Sequence, residues 1–388
     1  MQLKRQLTAA YAYSFLAFFG ITQLWVIYLG QRGLSLMQIG LCESIFHVAS
    51  FGFEVPSGVL ADRFTYRRML ALSRLAALAA SAMMLATGGF WWFAVSFVLS
   101  AWSYNLQSGT LEALLYESLK QTGETGRWPR VTSRLNTVIE LAASSGLLLG
   151  GAMVHWHFEW TYVIACGLAV LALGACLALQ EPVAHRISEH QTIGRIVRTA
   201  TQVLRHDRHL RRLMAYDAVF SAVSSTYYYY FQDVMVRRHF SGVVITALLL
   251  AASLTAIGVI QGSARVATWP RRRVAVGLLS VMAACLLLTA WGTSPVLAGV
   301  YLAVYALGAL LPPVFTVYYN AAIPSAQRAT LLSVASLLYS VVMIGLFPLV
   351  GWGIDRFGFT LTFTLIGVCF AASALALSVV KSRKGADA

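Results

Sequence analysis

Trp160-Thr-Tyr-Val-Ile-Ala-Cys-Gly-Leu-Ala-Val-Leu-Ala-Leu-Gly-Ala-Cys-Leu-Ala-Leu179 runs without a single charged residue. A helix of that length crosses roughly 30 Å, the thickness of a bilayer's hydrocarbon. Similar runs recur along the 388 residues, of which 58% are hydrophobic and 11% charged. Soluble domains carry about a quarter charged residues, so this composition excludes a soluble enzyme, a nucleic-acid-binding protein and a secreted module. Backbone groups in lipid must be satisfied within a helix or a closed barrel, and barrel-type alternation is absent. The chain reads as an all-α membrane protein.

Twelve transmembrane helices are expected, at roughly 8–29, 36–61, 69–87, 90–118, 131–154, 158–180, 210–231, 241–266, 274–291, 295–320, 329–352 and 358–380. Breakers mark the joints, among them Gly88-Gly89, Trp128-Pro129, Trp269-Pro270 and Ser294-Pro295. Lys4 and Arg5 precede a first run too long for a signal peptide's apolar region, so that run is read as a retained helix. An N-terminus inside the cell places 25 of the 29 cations on the cytoplasmic side, leaving Arg32, Arg237, Arg238 and Arg356 outside. The net charge of +14 is thus a topology signal, with both termini cytoplasmic, and nucleic acid is not an expected partner.

The expected organisation is an N-terminal six-helix half over 1–180, a cytoplasmic linker over 181–209, and a C-terminal six-helix half over 210–388. Within the linker, Gln191 to Arg208 is suited to a basic helix on anionic headgroups, although a simple tether explains it as well. Cys42, Cys166, Cys176, Cys285 and Cys369 are scattered through apolar runs, with neither a disulfide framework nor metal-ligand spacing. No metal and no cofactor are expected.

Shifting the chain by 200 positions lays Gly151 on Gly351, Gly167 on Gly367 and Ser133 on Ser333. With the six-plus-six count this points to duplication into two parallel repeats. After span two the chain reads Gly58-Val-Leu-Ala-Asp62-Arg63-Phe-Thr-Tyr-Arg67-Arg68. This resembles the loop 2–3 signature of the major facilitator superfamily, with Thr65 where glycine is usual. In span five, Gly146-Leu-Leu-Leu-Gly150-Gly151 is similar to the antiporter motif of bacterial drug:proton exporters, with Leu147 at the proline position. Glycines at that spacing also serve plain helix packing. Asn105 stands where related exporters often carry an arginine in span four. The resemblance implies a cytoplasmic gate formed by Glu54, Gly58, Asp62, Arg63, Arg67 and Arg68. It also implies a central cavity lined by spans one, four, seven and ten.

Charge inside hydrocarbon costs about 2.5–3.5 kcal/mol at a helix centre, so intramembrane acids are functional candidates. Spans nine and twelve carry none, and span three only Arg74, near its cytoplasmic end. The proton-coupling candidates are Glu43, His47, Glu140 and Asp217. Glu43, His47 and Ser50 share one face of span two, where a carboxylate and an imidazole one turn apart can exchange a proton. A packing face without titration is the alternative. Glu112 and Glu117 are expected to bridge Arg127 and Arg130. The cavity candidates are Tyr11, Phe15, Phe18, Asn105, Gln107, Tyr227, Phe315, Tyr319 and Asn320, aromatic walls suited to amphiphilic solutes.

These readings lead to a secondary active transporter, not an enzyme, multi-pass in the cell membrane. Proton-coupled efflux of small amphiphilic compounds is the expected activity, and transport of a specific metabolite, sugar or organic ion is the alternative. A receptor or intramembrane enzyme is less favoured, since neither a zinc-ligand run nor a nucleophile elbow occurs. The partners expected are a small-molecule substrate, protons and the lipid bilayer, with the protein acting as a monomer.

Overall fold

The computed structural model describes residues 3–86, 88–182, 207–322 and 328–384. Nearly all of the described chain is helical, with no strand among the described residues. The first half contains α1 (Leu3–Ala17), α2 (Trp25–Gln31), α3 (Leu36–Arg63), α4 (Tyr66–Leu85), α5 (Phe90–Gln107), α6 (Thr110–Gln121), α7 (Trp128–Met153) and α8 (Trp160–Leu177). The second contains α9 (Arg208–Arg237), α10 (Gly242–Ala267), α11 (Arg271–Leu288), α12 (Ser294–Ala322), α13 (Arg328–Phe357) and α14 (Phe359–Lys384). Among the described residues, nine helices are long and apolar enough to cross a membrane, or ten if α1 and α2 form one bent span. The expected spans four and seven, occupied by α5 with α6 and by α9, are not among those nine. Most of the linker, residues 183–206 with the basic segment from Gln191, lies outside the described residues.

The chain divides into two compact units. Unit 1 holds Met1–Tyr28 and Leu41–Arg195; unit 2 holds Leu29–Gly40 and Ile196–Ala388. In unit 1, α4 packs on α5 and α8, and α1 on α7 and α8. The core there gathers Leu7, Tyr13, Leu70, Leu114, Leu135 and Cys176. In unit 2, α10 packs on α12, α11 on α14, and α9 on α12 and α13. Leu250, Leu254 and Ile257 of α10 and Leu361, Leu365 and Val368 of α14 stay exposed. Such apolar faces are costly in water and free of cost against lipid tails.

Two expected helices are broken, and both breaks are in unit 1. Span one stops at Ala17, makes a 3-10 turn over Gly20–Thr22 and resumes as α2 after a 45° bend. Span four stops at Gln107, and Gly109, with φ of 70°, starts α6 in a backbone conformation that glycine adopts without strain. The span-five glycines pack against the first break. A Cβ on Gly150 would come within 2.8 Å of the Ile21 carbonyl oxygen, and one on Gly146 would collide with the backbone nitrogens of Gly20 and Ile21. Gly146 and Gly150 therefore admit backbone where a side chain would not fit; Gly151 is buried beside them.

Candidate functional site

Within unit 1, α3 presents Glu43, His47 and Ser50 one turn apart, as the helical spacing requires. Glu43 Oε1 lies 3.6 Å from His47 Nε2, an ion-pair distance longer than a hydrogen bond, and both side chains are mostly buried. Ser50 Oγ donates to Asn105 Oδ1 at 2.8 Å, and Asn105 Nδ2 donates back to the Ser50 carbonyl. Both ends of the Asn105 amide are thus taken up in joining α3 to α5. Phe46 meets Tyr104 on the same side.

Arg74 is the residue that sequence reasoning placed differently. Counted above among the topology-setting cations, it is 7% exposed in the interior of unit 1. Its Nη2 donates to Ser73 Oγ (2.9 Å), to Ser103 Oγ (3.4 Å) and to Gln107 Oε1, and its Nη1 reaches the Ala17 carbonyl (3.4 Å). The guanidinium also lies 5.6 Å from the centre of the Tyr13 ring. Tyr13 Oη donates to the same Gln107 oxygen at 3.1 Å. Ala17 and Gln107 are the last residues of α1 and α5, so the cation sits at the carbonyl ends of two interrupted helices, where the dipole favours positive charge. The available signal was a lone arginine five residues into the apolar run 69–87, opposite breaks that only Gly20 and Gly109 foreshadowed.

The other unit 1 candidates are dispersed. Glu140 is exposed on α7 and makes no hydrogen bond or ion pair with a described residue. Tyr11 has a buried hydroxyl without a partner, Phe15 is 39% exposed, and Phe18 is half-buried at the break. Glu117 lies 3.9 Å from Lys120, and Arg127 pairs with Glu124, so these two take nearer partners than the expected ones, and no bridge joins Glu112 or Glu117 to Arg127 or Arg130 among the described residues. Of the gate motif, the side chains of Glu54, Asp62 and Arg63 and the surroundings of Gly58 fall outside what is described. Arg68 is exposed, and the Tyr66 and Arg67 amides donate to the Glu181 carboxylate at 2.9 and 3.1 Å, capping α4.

Unit 2 joins three of its candidates. Tyr319 Oη donates to Asp217 Oδ2 at 2.7 Å, and Ser221 Oγ donates to Asp217 Oδ1 at 3.3 Å. Tyr216 stacks on Phe315, with ring centres 5.7 Å apart and planes 8° from parallel. Tyr319 and Phe315 are buried within the unit. Tyr227 is fully buried against Phe359 and Phe363, so it packs as core and does not present a wall to solute. The Asn320 side chain lies outside the described residues. Asp355, which the sequence reading passed over, ends α13 with both carboxylate oxygens on the start of α3: Leu36 N–H donates at 3.2 Å and Met37 N–H at 2.9 Å. Among the described residues no cluster of His, Cys, Asp and Glu is placed to hold a metal ion.

The helical units, apolar outer faces and intramembrane acids describe a membrane carrier, and the model of one family matches residues 7–342. The chain belongs to the Major Facilitator Superfamily. A short segment is 38% identical over 66 residues to the uncharacterized MFS-type transporter YxaM of Bacillus subtilis (strain 168), spanning 16% of each chain. Solved structures share the fold over nearly the whole length. The nucleoside transporter NupG matches with a TM-score of 0.73 at 14% identity, covering 97% of this chain and 98% of that one. A peptide transporter of the POT family matches with a TM-score of 0.70 at 14% identity, covering 98% and 94%. The human organic anion transporter MFSD10 matches at 0.60 and 16% identity, covering 97% and 100%. This superfamily member is a multi-pass membrane transporter.

Proposed function

We propose that this transporter is a proton-coupled carrier that works by alternating access, with twelve spans and both termini cytoplasmic, and that it exports small amphiphilic solutes as a monomer in the cell membrane. The observation that carries proton coupling is Asp217, a membrane-level carboxylate held by the hydroxyls of Tyr319 and Ser221 and by no cation among the described residues. A carboxylate paired with a fixed guanidinium must break that pair to take up a proton. One held by hydroxyls can do so with only a hydrogen-bond rearrangement. Glu43 with His47 is a second proton site of similar kind, and exposed Glu140 a third candidate. Asp62, Arg67 and Arg68 would act on conformational balance and not on solute. Half-buried Tyr216, held flat against the buried Phe315 ring, supports the amphiphile reading, since flat apolar surfaces recognise aromatic solutes and cations.

A second reading, transport of one specific metabolite, is favoured by the neighbouring folds, whose names include nucleoside and peptide transporters. The test is uptake and efflux in proteoliposomes under an imposed pH gradient, with tetraphenylphosphonium, procainamide, uridine and glycyl-phenylalanine as solutes. Gradient-driven movement of the first two supports amphiphile export; movement of uridine or the dipeptide alone supports the second reading. Asp217→Asn is expected to lower gradient-driven flux at least about tenfold while solute counterflow without a gradient persists. Equal loss of both fluxes would remove Asp217 from coupling.

A further inference from the structure

The amide of Gln107 is oriented by its neighbours. Arg74 and Tyr13 both donate to one atom of it, and an arginine nitrogen can only donate. The atom facing them is therefore the oxygen, since two donors converge on it. The amide nitrogen is left on the opposite side. Gln107 is 8% exposed, and Nε2 meets no acceptor among the described residues, nor is it among the atoms sealed off without a partner. Asn105, two residues earlier, engages both its amide oxygen and its amide nitrogen with Ser50. Next to Gln107 the helix breaks, and Ser108 and Gly109 are exposed.

Arg74 adds a cost that calls for a role. A guanidinium buried among neutral acceptors loses hydration without a counter-charge, and only hydrogen bonds and helix carbonyl ends offset the loss. What the arrangement secures is an amide that cannot rotate to present its oxygen. We propose that Gln107 is a specificity-determining hydrogen-bond donor on span four, for a carbonyl or oxyanion oxygen of the solute, and that Arg74 is the positioning residue that fixes it as a donor. This rests on the transporter reading above and narrows its substrate class to solutes carrying an exposed acceptor.

The test uses the full-length protein in proteoliposomes with procainamide, uridine and glycyl-phenylalanine, which carry carbonyl oxygens, and tetraphenylphosphonium, which carries no acceptor. Gln107→Glu keeps the oxygen that Arg74 holds and replaces the donor by a second acceptor. For whichever carbonyl-bearing solutes the wild type moves, the apparent KM rises about tenfold in Gln107→Glu with little change in maximal rate. Arg74→Met, which frees the amide to turn, raises KM in the same way, and Arg74→Lys restores most of the affinity. For tetraphenylphosphonium, where the wild type moves it, the apparent KM does not rise in any variant, since it has no acceptor to lose and a site made less positive does not weaken a cation. Unchanged KM in Gln107→Glu overturns the proposal, as does an equal rise in KM for tetraphenylphosphonium, which would show a structural role. A wild type that moves only tetraphenylphosphonium overturns the donor role and leaves the transporter reading standing. A wild type that moves none of the four overturns this inference and the amphiphile and metabolite readings together.

Discussion

Unit 1 buries a cation and unit 2 half-buries an anion, and each is held by neutral partners. In unit 1, Arg74 is surrounded by serine hydroxyls, the Gln107 oxygen and a helix-end carbonyl, all acceptors. In unit 2, Asp217 is surrounded by hydroxyl donors from Tyr319 and Ser221. The backbones differ in the same places. Spans one and four of unit 1 are interrupted, whereas α9 and α12 of unit 2 run on for 30 and 29 residues. Interrupted helices leave carbonyls without partners, which suits a cation; α9 has no proline or break around Asp217, and the acid has to find side-chain donors. The two units thus carry opposite charges, and they differ in whether the backbone is broken beside the charge.

The span-five glycines offer the largest test of that difference. Gly146 admits the backbone of the span-one turn, while Gly345 of α13 faces open space. Gly146→Ala is expected to destabilise unit 1 by about 1–3 kcal/mol through overpacking. Gly345→Ala should stabilise by about 0.5–1 kcal/mol, since alanine stiffens a helix that glycine leaves loose. Thermal unfolding of the two variants in one detergent gives both signs, and equal shifts would deny that the break needs the glycine.

A smaller effect separates the two charged clusters. Tyr319→Phe removes the shorter of the two hydroxyl bonds to Asp217 and should cost about 1.5 kcal/mol, the scale of a hydrogen bond to a charged group. Tyr13→Phe should cost about 0.5–1 kcal/mol, because Arg74 still holds the Gln107 oxygen. Denaturation midpoints of the pair measure this, and a larger loss in Tyr13→Phe would reverse the ranking of the networks.

How much of this could be read in advance depends on the kind of signal. Apolar length located the helices, because a run such as 160–179 has few alternatives in a membrane. The helix breaks were hidden. Pro312-Pro313 is the strongest breaker signal in the chain, yet α12 continues through it, while the break at Ala17 follows an ordinary aromatic stretch with only Gly20 to announce it. Tertiary packing, in the form of α7 backing onto Gly20 and Ile21, decides the second case. Asp217 was legible as an acid in an apolar helix, but Tyr319 lies 102 residues away and no local spacing links them. Arg74 was legible as a charge inside span three, but its burial and its partners Ser103, Gln107 and Ala17 lie far off in the chain, where no local spacing points. Asp355 escaped notice because its partners are backbone amides, which every residue has.

Asp355 also marks a contrast within unit 2, where an acid is used as a cap and not as a buried charge. Its carboxylate takes the first two amides of α3, which have no helical partner of their own. Asp355→Ala should cost about 1 kcal/mol, as for loss of a capping side chain. The effect should be local, with faster hydrogen exchange at Leu36 and Met37 and unchanged exchange in α10. Exchange that rises evenly across unit 2 would mean that Asp355 supports the whole unit.

The smallest effect expected concerns Glu43 and His47, and it asks whether unit 1 has a titrating site to set against Asp217. Their separation of 3.6 Å along one helix face places them in the class of pairs four residues apart, worth about 0.2–0.5 kcal/mol in isolated helices. Loss of the pair should therefore barely move the unfolding temperature. If the two share a proton during transport, the pH profile should move although stability does not. Glu43→Gln and His47→Gln would each shift the pH of maximal flux in the same assay that tests Asp217→Asn. The double variant would add little to either single one, because two groups that titrate together are removed as one. Additive shifts would mean independent sites. Profiles that superimpose on the wild type would leave Asp217 as the better-supported proton carrier and make this face of α3 a packing surface that joins α5 through Ser50 and Asn105.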